Sequence, residues 1–101
     1  MGPLTKELTE NMDDLARFME SHNESSWASD IRVTIKKIAN GSFSSVENMR
    51  SWWGTYGTLN DIIIRKLNDG ETFESVNNKF SELLDNVYTL RELLIKNATF
   101  D

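Results

Sequence analysis

Phe73, Val76, Phe80, Leu83, Val87, Leu90 and Leu94 stand three, four, three, four, three and four residues apart, an unbroken heptad stripe near the C-terminal end of the chain. A repeat between three and four residues is the period of a helix, whereas a strand alternates every second residue. The stripe predicts a helix from about Thr72 to Lys96, roughly 37 Å long at the usual rise per residue. Leu84, Tyr88, Arg91 and Ile95 widen it beyond two positions in seven. A stripe that wide suits packing against other helices of the same chain better than a two-stranded seam, with a coiled-coil-like dimer as the competing arrangement.

The rest of the chain supplies those other helices. Leu4, Leu8, Met12, Leu15, Phe18 and Met19 recur at helical spacing and predict a first helix from about Pro3 to Ser21, with proline tolerated in the first turn. Asn23-Glu24-Ser25-Ser26 reads as a turn ending in an N-cap, and Trp27, Ile31, Ile35 and Ile38 form a second stripe closed by Asn40-Gly41, where glycine can adopt the left-handed conformation that ends helices. Ser44-Ser45-Val46-Glu47 fits a capping box, and Val46, Met49, Trp52 and Trp53 give a short third stripe stopped by Gly54.

Three consecutive isoleucines in Leu59–Leu67 favour a strand, but no second strand is apparent to pair with it, so a short helical or irregular buried segment is expected there. Asn68-Asp69-Gly70 reads as a turn. The expected architecture is all-α: one domain over residues 1–101, a compact bundle of four main helices with a long C-terminal one.

Chemistry has little to stand on. There is no Cys, and His22 is the only histidine, near the end of the first helix, where a cation meets the helix dipole favourably. Asp13 and Asp14 are adjacent and point apart, and Glu10 with Asp14 is a single acidic pair at i, i+4; neither arrangement converges as metal ligands must. Phosphate-loop, nucleophile-elbow, zinc-helix and dinucleotide motifs are absent from the sequence. The expectation is no catalytic residue, no metal and no cofactor. No apolar run approaches the roughly 20 residues of a membrane span, and Met1–Glu7 lacks a basic region followed by an apolar one. A cytoplasmic protein is expected.

The net charge of −5 is unevenly spread. Residues 1–30 carry −5, residues 31–66 carry +4 and residues 67–101 carry −4. An acidic protein of this kind does not suit direct nucleic-acid binding, which needs a broad basic face. A basic protein partner suits it better. Arg32, Lys36 and Lys37 of the basic middle are expected to form a solvated face.

Trp52-Trp53-Gly54-Thr55-Tyr56-Gly57-Thr58-Leu59-Asn60-Asp61 gathers three aromatics and two glycines in ten residues. Neighbouring tryptophans on a helix point apart, so one is expected in the core and the other at its edge, where with Tyr56 it can serve as an anchor for a partner. Gly54-Thr55-Tyr56-Gly57-Thr58-Leu59-Asn60-Asp61, together with Trp27-Ala28, resembles a family of small, uncharacterised bacterial helical proteins, a domain of unknown function whose members carry Trp-Ala in an early helix and a later Gly-x-x-Gly-Ser/Thr-apolar-Asn-Asp signature. The likeness covers about Leu15 to Leu94, with Thr55-Tyr56 where the family has Gly-Met.

Small acidic bacterial proteins of this type are similar to immunity proteins of interbacterial toxin systems, including contact-dependent growth inhibition. What that similarity implies is a protein, monomeric or weakly homodimeric, that neutralises a cognate basic toxin, a nuclease, by electrostatically complementary contact. The expected contact residues are Glu10, Asp13, Asp14 and Glu20 in the first helix, Glu71, Glu74, Glu82 and Asp85 at and along the last, and Trp53 or Tyr56 as the apolar anchor. The competing functions are a homodimeric structural or adaptor protein and a small nucleic-acid-associated regulator.

Overall fold

The computed structural model describes residues 2–54 and 56–97; Thr55 lies outside the described residues. Among them the chain is all-α, with α1 (Pro3–Ser21), α2 (Ser25–Ala39), α3 (Phe43–Asn48) and α4 (Phe73–Lys96), 3-10 turns at Met49–Trp53 and Leu59–Asp61, and no strand.

The helix α1 is central. It starts on Pro3, whose missing N–H is one of the donors a first turn leaves unpaired in any case. Leu8, Met12, Leu15, Ala16 and Met19 are all fully buried along it, and it packs against both α2 and α4. Asn23 turns the chain back with a left-handed φ of 62°, so that α2 runs antiparallel to α1. At the far end of α2, Gly41 takes φ 93°, the left-handed C-terminal geometry expected of it. α4 is also antiparallel to α1, since Glu71 meets His22 at one end while Glu7 and Asn11 line a groove with Asn86 and Thr89 at the other.

The heptad stripe is absorbed inside the molecule. Val76, Phe80, Leu84, Val87, Leu90 and Leu94 are buried, while Leu83 is half-buried. Leu84 and Arg91, seven residues apart on the widened edge of the stripe, are buried beside it. Phe73, the first residue of the stripe, is exposed, because the first turn of α4 stands where α1 has already ended. Thr72 accepts from Ser75 N–H and Ser75 Oγ accepts from Thr72 N–H, a reciprocal cap at the start of α4.

The capping box expected at Ser44 and Glu47 is not formed. α3 begins two residues earlier than that cap implies, drawing Phe43 against the core, and Ser42 flanks it with its hydroxyl 2.8 Å from Ser45 Oγ. The end of α3 is held by a neighbour instead. Arg91 of α4, only 6% exposed, donates from Nε to the Val46 carbonyl at 2.8 Å, from Nη2 to the Glu47 carbonyl at 2.8 Å and from Nη1 to Glu92 at 2.7 Å. Those two carbonyls belong to the last turn of a six-residue helix, where the Met49 N–H also reaches both, and the guanidinium fork supplies a further, charged donor to each.

Trp52 is buried and Trp53 half-buried, as neighbouring positions on one turn require. Gly54 ends that turn. A Cβ there would stand 2.8 Å from the Thr58 methyl, so the close return of Thr58, whose hydroxyl donates to the Gly54 carbonyl at 3.3 Å, needs glycine.

Residues 62–68 are irregular, starting from an extended Ile62, and the isoleucines alternate as a strand would: Ile62 half-buried, Ile63 exposed, Ile64 fully buried. The pairing that a second strand would provide comes from one side chain. Asn77 accepts from Ile64 N–H at 2.8 Å and donates to Ile64 C=O at 3.0 Å. Asn77→Ala removes both bonds, and the expected cost is about 1–2 kcal/mol, with the Ile64 amide exchanging much faster by NMR. Unchanged exchange at Ile64 would contradict this role.

Candidate partner-binding site

The outer side of α1, opposite its buried stripe, carries Glu7, Glu10 and Asp14 at spacings of three and four, on one face of the helix. All three are exposed, and Glu7 and Glu10 form no ion pair among the described residues. Asp14 has only a loose contact with Arg17 at 3.5 Å. A shallow depression beside the row is lined by Glu10, Asp13, Asp14, Arg17 and Ile35, and the groove toward α4 by Glu7, Asn11, Asn86 and Thr89.

Asp13 and Glu20 are differently employed. Arg32 of α2 donates from Nη1 to Asp13 at 2.7 Å and from Nε and Nη2 to Glu20 at 2.8 and 2.9 Å; Arg17 also pairs with Asp13. The Arg32 hydrogen bonds, joined by Arg17 at Asp13, hold both carboxyls below their ordinary range, and the two acids raise Arg32. These residues clamp α1 to α2. The acidic ends and basic middle of the chain are therefore not separate in space: Arg32 folds onto the acidic helix, and the five acids of α1 set against Lys6, Arg17 and Arg32 leave −2 on that side.

Glu71 belongs to a latch between the C-terminal end of α1 and the turn before α4. It accepts from Asn68 N–H at 2.6 Å, and both its oxygens lie 3.0 Å from His22 Nε2. His22, 4% exposed, stacks on Phe18 with ring centroids 4.2 Å apart and sets Nδ1 2.8 Å from the Phe18 carbonyl. Its ring therefore faces an acceptor at each nitrogen. Asn68 Nδ2 adds a bond to the Ser21 carbonyl at 3.2 Å. The sequence placed His22 near the helix end but gave no sign of its partner 49 residues away.

The Asn68 N–H bond, with His22 beside it, lowers the Glu71 carboxyl below its usual 4.5. A carboxyl whose affinity for protons falls on folding adds stability that is complete above its unfolded pKa and is lost as the pH drops through the folded value. Glu71→Gln is expected to lower the melting temperature at pH 7 and to flatten its decline below pH 4.5, read by thermal melts across that range. An unchanged slope would remove the latch from the acid response.

Of the other predicted contact residues, Glu74 is exposed in the first turn of α4 and Asp85 exposed at mid-helix, neither in an ion pair among the described residues. Glu82 lies 3.6 Å from Lys79. Trp53 sits between Trp52 and Tyr88, at centroid distances of 5.9 and 5.2 Å, with its indole N–H buried and without an acceptor among the described residues. Tyr56 is 93% exposed at the tip of its loop. The structure thus brings Glu10 and Asp14 together with Glu7, which sequence reasoning passed over, joins Asp13 and Glu20 through Arg32, and disperses the rest. The signal for Glu7 was available in its spacing from Glu10 and Asp14.

Among the described residues no three metal-ligating side chains converge, and no helix is long and apolar enough to cross a membrane. The fold and surface define an all-helical bundle with an acidic outer face on its central helix. Within that class, the chain belongs to the family described as Domain of unknown function (DUF6966), which matches residues 20–72. The match runs from the end of α1 through the His22–Glu71 latch and includes Trp27-Ala28 and the Gly54–Asp61 loop. No curated protein and no solved structure matches the chain.

Proposed function

We propose that this protein is an immunity protein that binds and neutralises a cognate bacterial toxin, a nuclease domain with a basic surface, acting in the cytoplasm by electrostatic contact and not by catalysis. The observation that carries the reading is the row Glu7, Glu10 and Asp14, carboxylates on the outer side of α1 that the fold leaves without strong partners. A nuclease must hold phosphate with cationic side chains, and a carboxylate row offers those cations an alternative ligand while speeding encounter. Tyr56, free in solvent, is the anchor in this reading, with Asp85 and Glu74 as outlying acids. Asp13, Glu20 and Glu71 support the face from within. The heptad stripe that a homodimeric adaptor needs is buried in the core, which favours the binding reading over that alternative.

The test is calorimetric titration of the purified protein with a basic nuclease domain encoded beside it, repeated across salt. Binding that weakens steeply with salt and abolishes nuclease activity supports the proposal. Absence of binding at low salt overturns it.

A further inference from the structure

We propose that residues 63–67 form an open strand edge that accepts an extended acidic strand from another polypeptide. The N–H and C=O of one residue point to the same side only in extended backbone, so the paired bonds from Asn77 to both groups of Ile64 fix that residue as strand-like. Ile62 before it is extended as well, with φ −67° and ψ 136°. Successive residues of a strand turn their backbone groups to opposite edges. In the proposed edge those of Ile63, Arg65 and Leu67 face away from Asn77, and no intramolecular hydrogen bond engages them among the described residues. An unpaired row of this kind is a template for a further strand.

The side chains say what fits it. Ile63, Arg65 and Leu67 share the outward face, with Ile63 49% and Leu67 44% exposed. A second copy of the chain is a poor occupant, because the antiparallel register that engages all three residues sets Arg65 opposite Arg65, and facing like charges destabilise a strand pair. Arg65 has no ion pair among the described residues, and Lys66, which lies near Glu71, adds to the positive charge of the segment. The complementary strand carries an acid opposite Arg65 and apolar residues two positions to either side, opposite Ile63 and Leu67. This edge bears the opposite charge to the α1 row and stands whether or not that row binds a toxin.

The probe is a capped synthetic peptide with the core Val-Thr-Glu-Thr-Val, titrated into isotope-labelled protein and followed by NMR. The expected result is shifts at the Ile63, Arg65 and Leu67 amides at about 1 mM peptide, and exchange of those amides slowed by about tenfold. N-methylation of the edge-facing peptide amides abolishes both effects, and replacing Glu with Lys does the same. Arg65→Glu, an exposed change that leaves the fold intact by circular dichroism, switches the preference to the Lys peptide. No shift at these amides, equal binding of the N-methylated peptide, or self-association of the protein through this edge would each overturn the proposal.

Discussion

Arg91→Ala is expected to destabilise the protein by about 3 kcal/mol, measured by urea unfolding, because hydrogen bonds from a charged donor contribute about 1.5–3 kcal/mol each and two carbonyls lose their charged donors together. Arg91 is buried in α4, yet its donors end on Val46 and Glu47 of α3, so one side chain fastens the short helix to the long one. Arg91→Met separates packing from hydrogen bonding: it keeps the apolar stem but supplies no donor, and most of the loss should remain. Arg91→Lys should also fail to rescue, since an ammonium offers a compact point charge where a planar fork spans two acceptors. A loss under about 1 kcal/mol would mean that water satisfies those carbonyls equally well.

The second large effect is on association. Reversing Glu7, Glu10 and Asp14 together to lysine is expected to slow capture of a basic nuclease domain by about 100-fold at low salt, as placing like charges across a steered interface does. The melting temperature should barely change, because these side chains are exposed and have no strong intramolecular partner. Asp13→Lys and Glu20→Lys should do the converse. Each strips a carboxylate from Arg32 and loosens the α1–α2 clamp, so the melting temperature falls first. Stopped-flow association and thermal melts on the same variants separate the two classes. Equal effects from both sets would show that the outer row has no special part in recognition.

Helices were legible wherever burial recurs with helical period. The bounds of α1, the closure of α2 at Gly41 and the length of α4 all follow from apolar spacing and the residues that punctuate it. What escaped was long-range and polar. Nothing local marks Asn77 as the partner of Ile64, Glu71 as the partner of His22, or Arg91 as the cap of α3, because each pair is set by tertiary packing of elements far apart in sequence. The candidate site suffered for the same reason. A helical wheel shows that Glu10 and Asp14 face outward, but not that Arg32 reaches across from α2 to occupy Asp13 and Glu20. Formal charge along the chain overstated the free charge on the surface, and the internal ion pairs account for the difference.

The most direct test of the account is an NMR footprint of the protein on addition of the neighbouring basic nuclease domain. The prediction is that the largest shifts fall on the outer turns of α1 around Glu7, Glu10 and Asp14 and at Tyr56, and vanish in high salt. A footprint that spares α1, or one that persists undiminished in high salt, would contradict it.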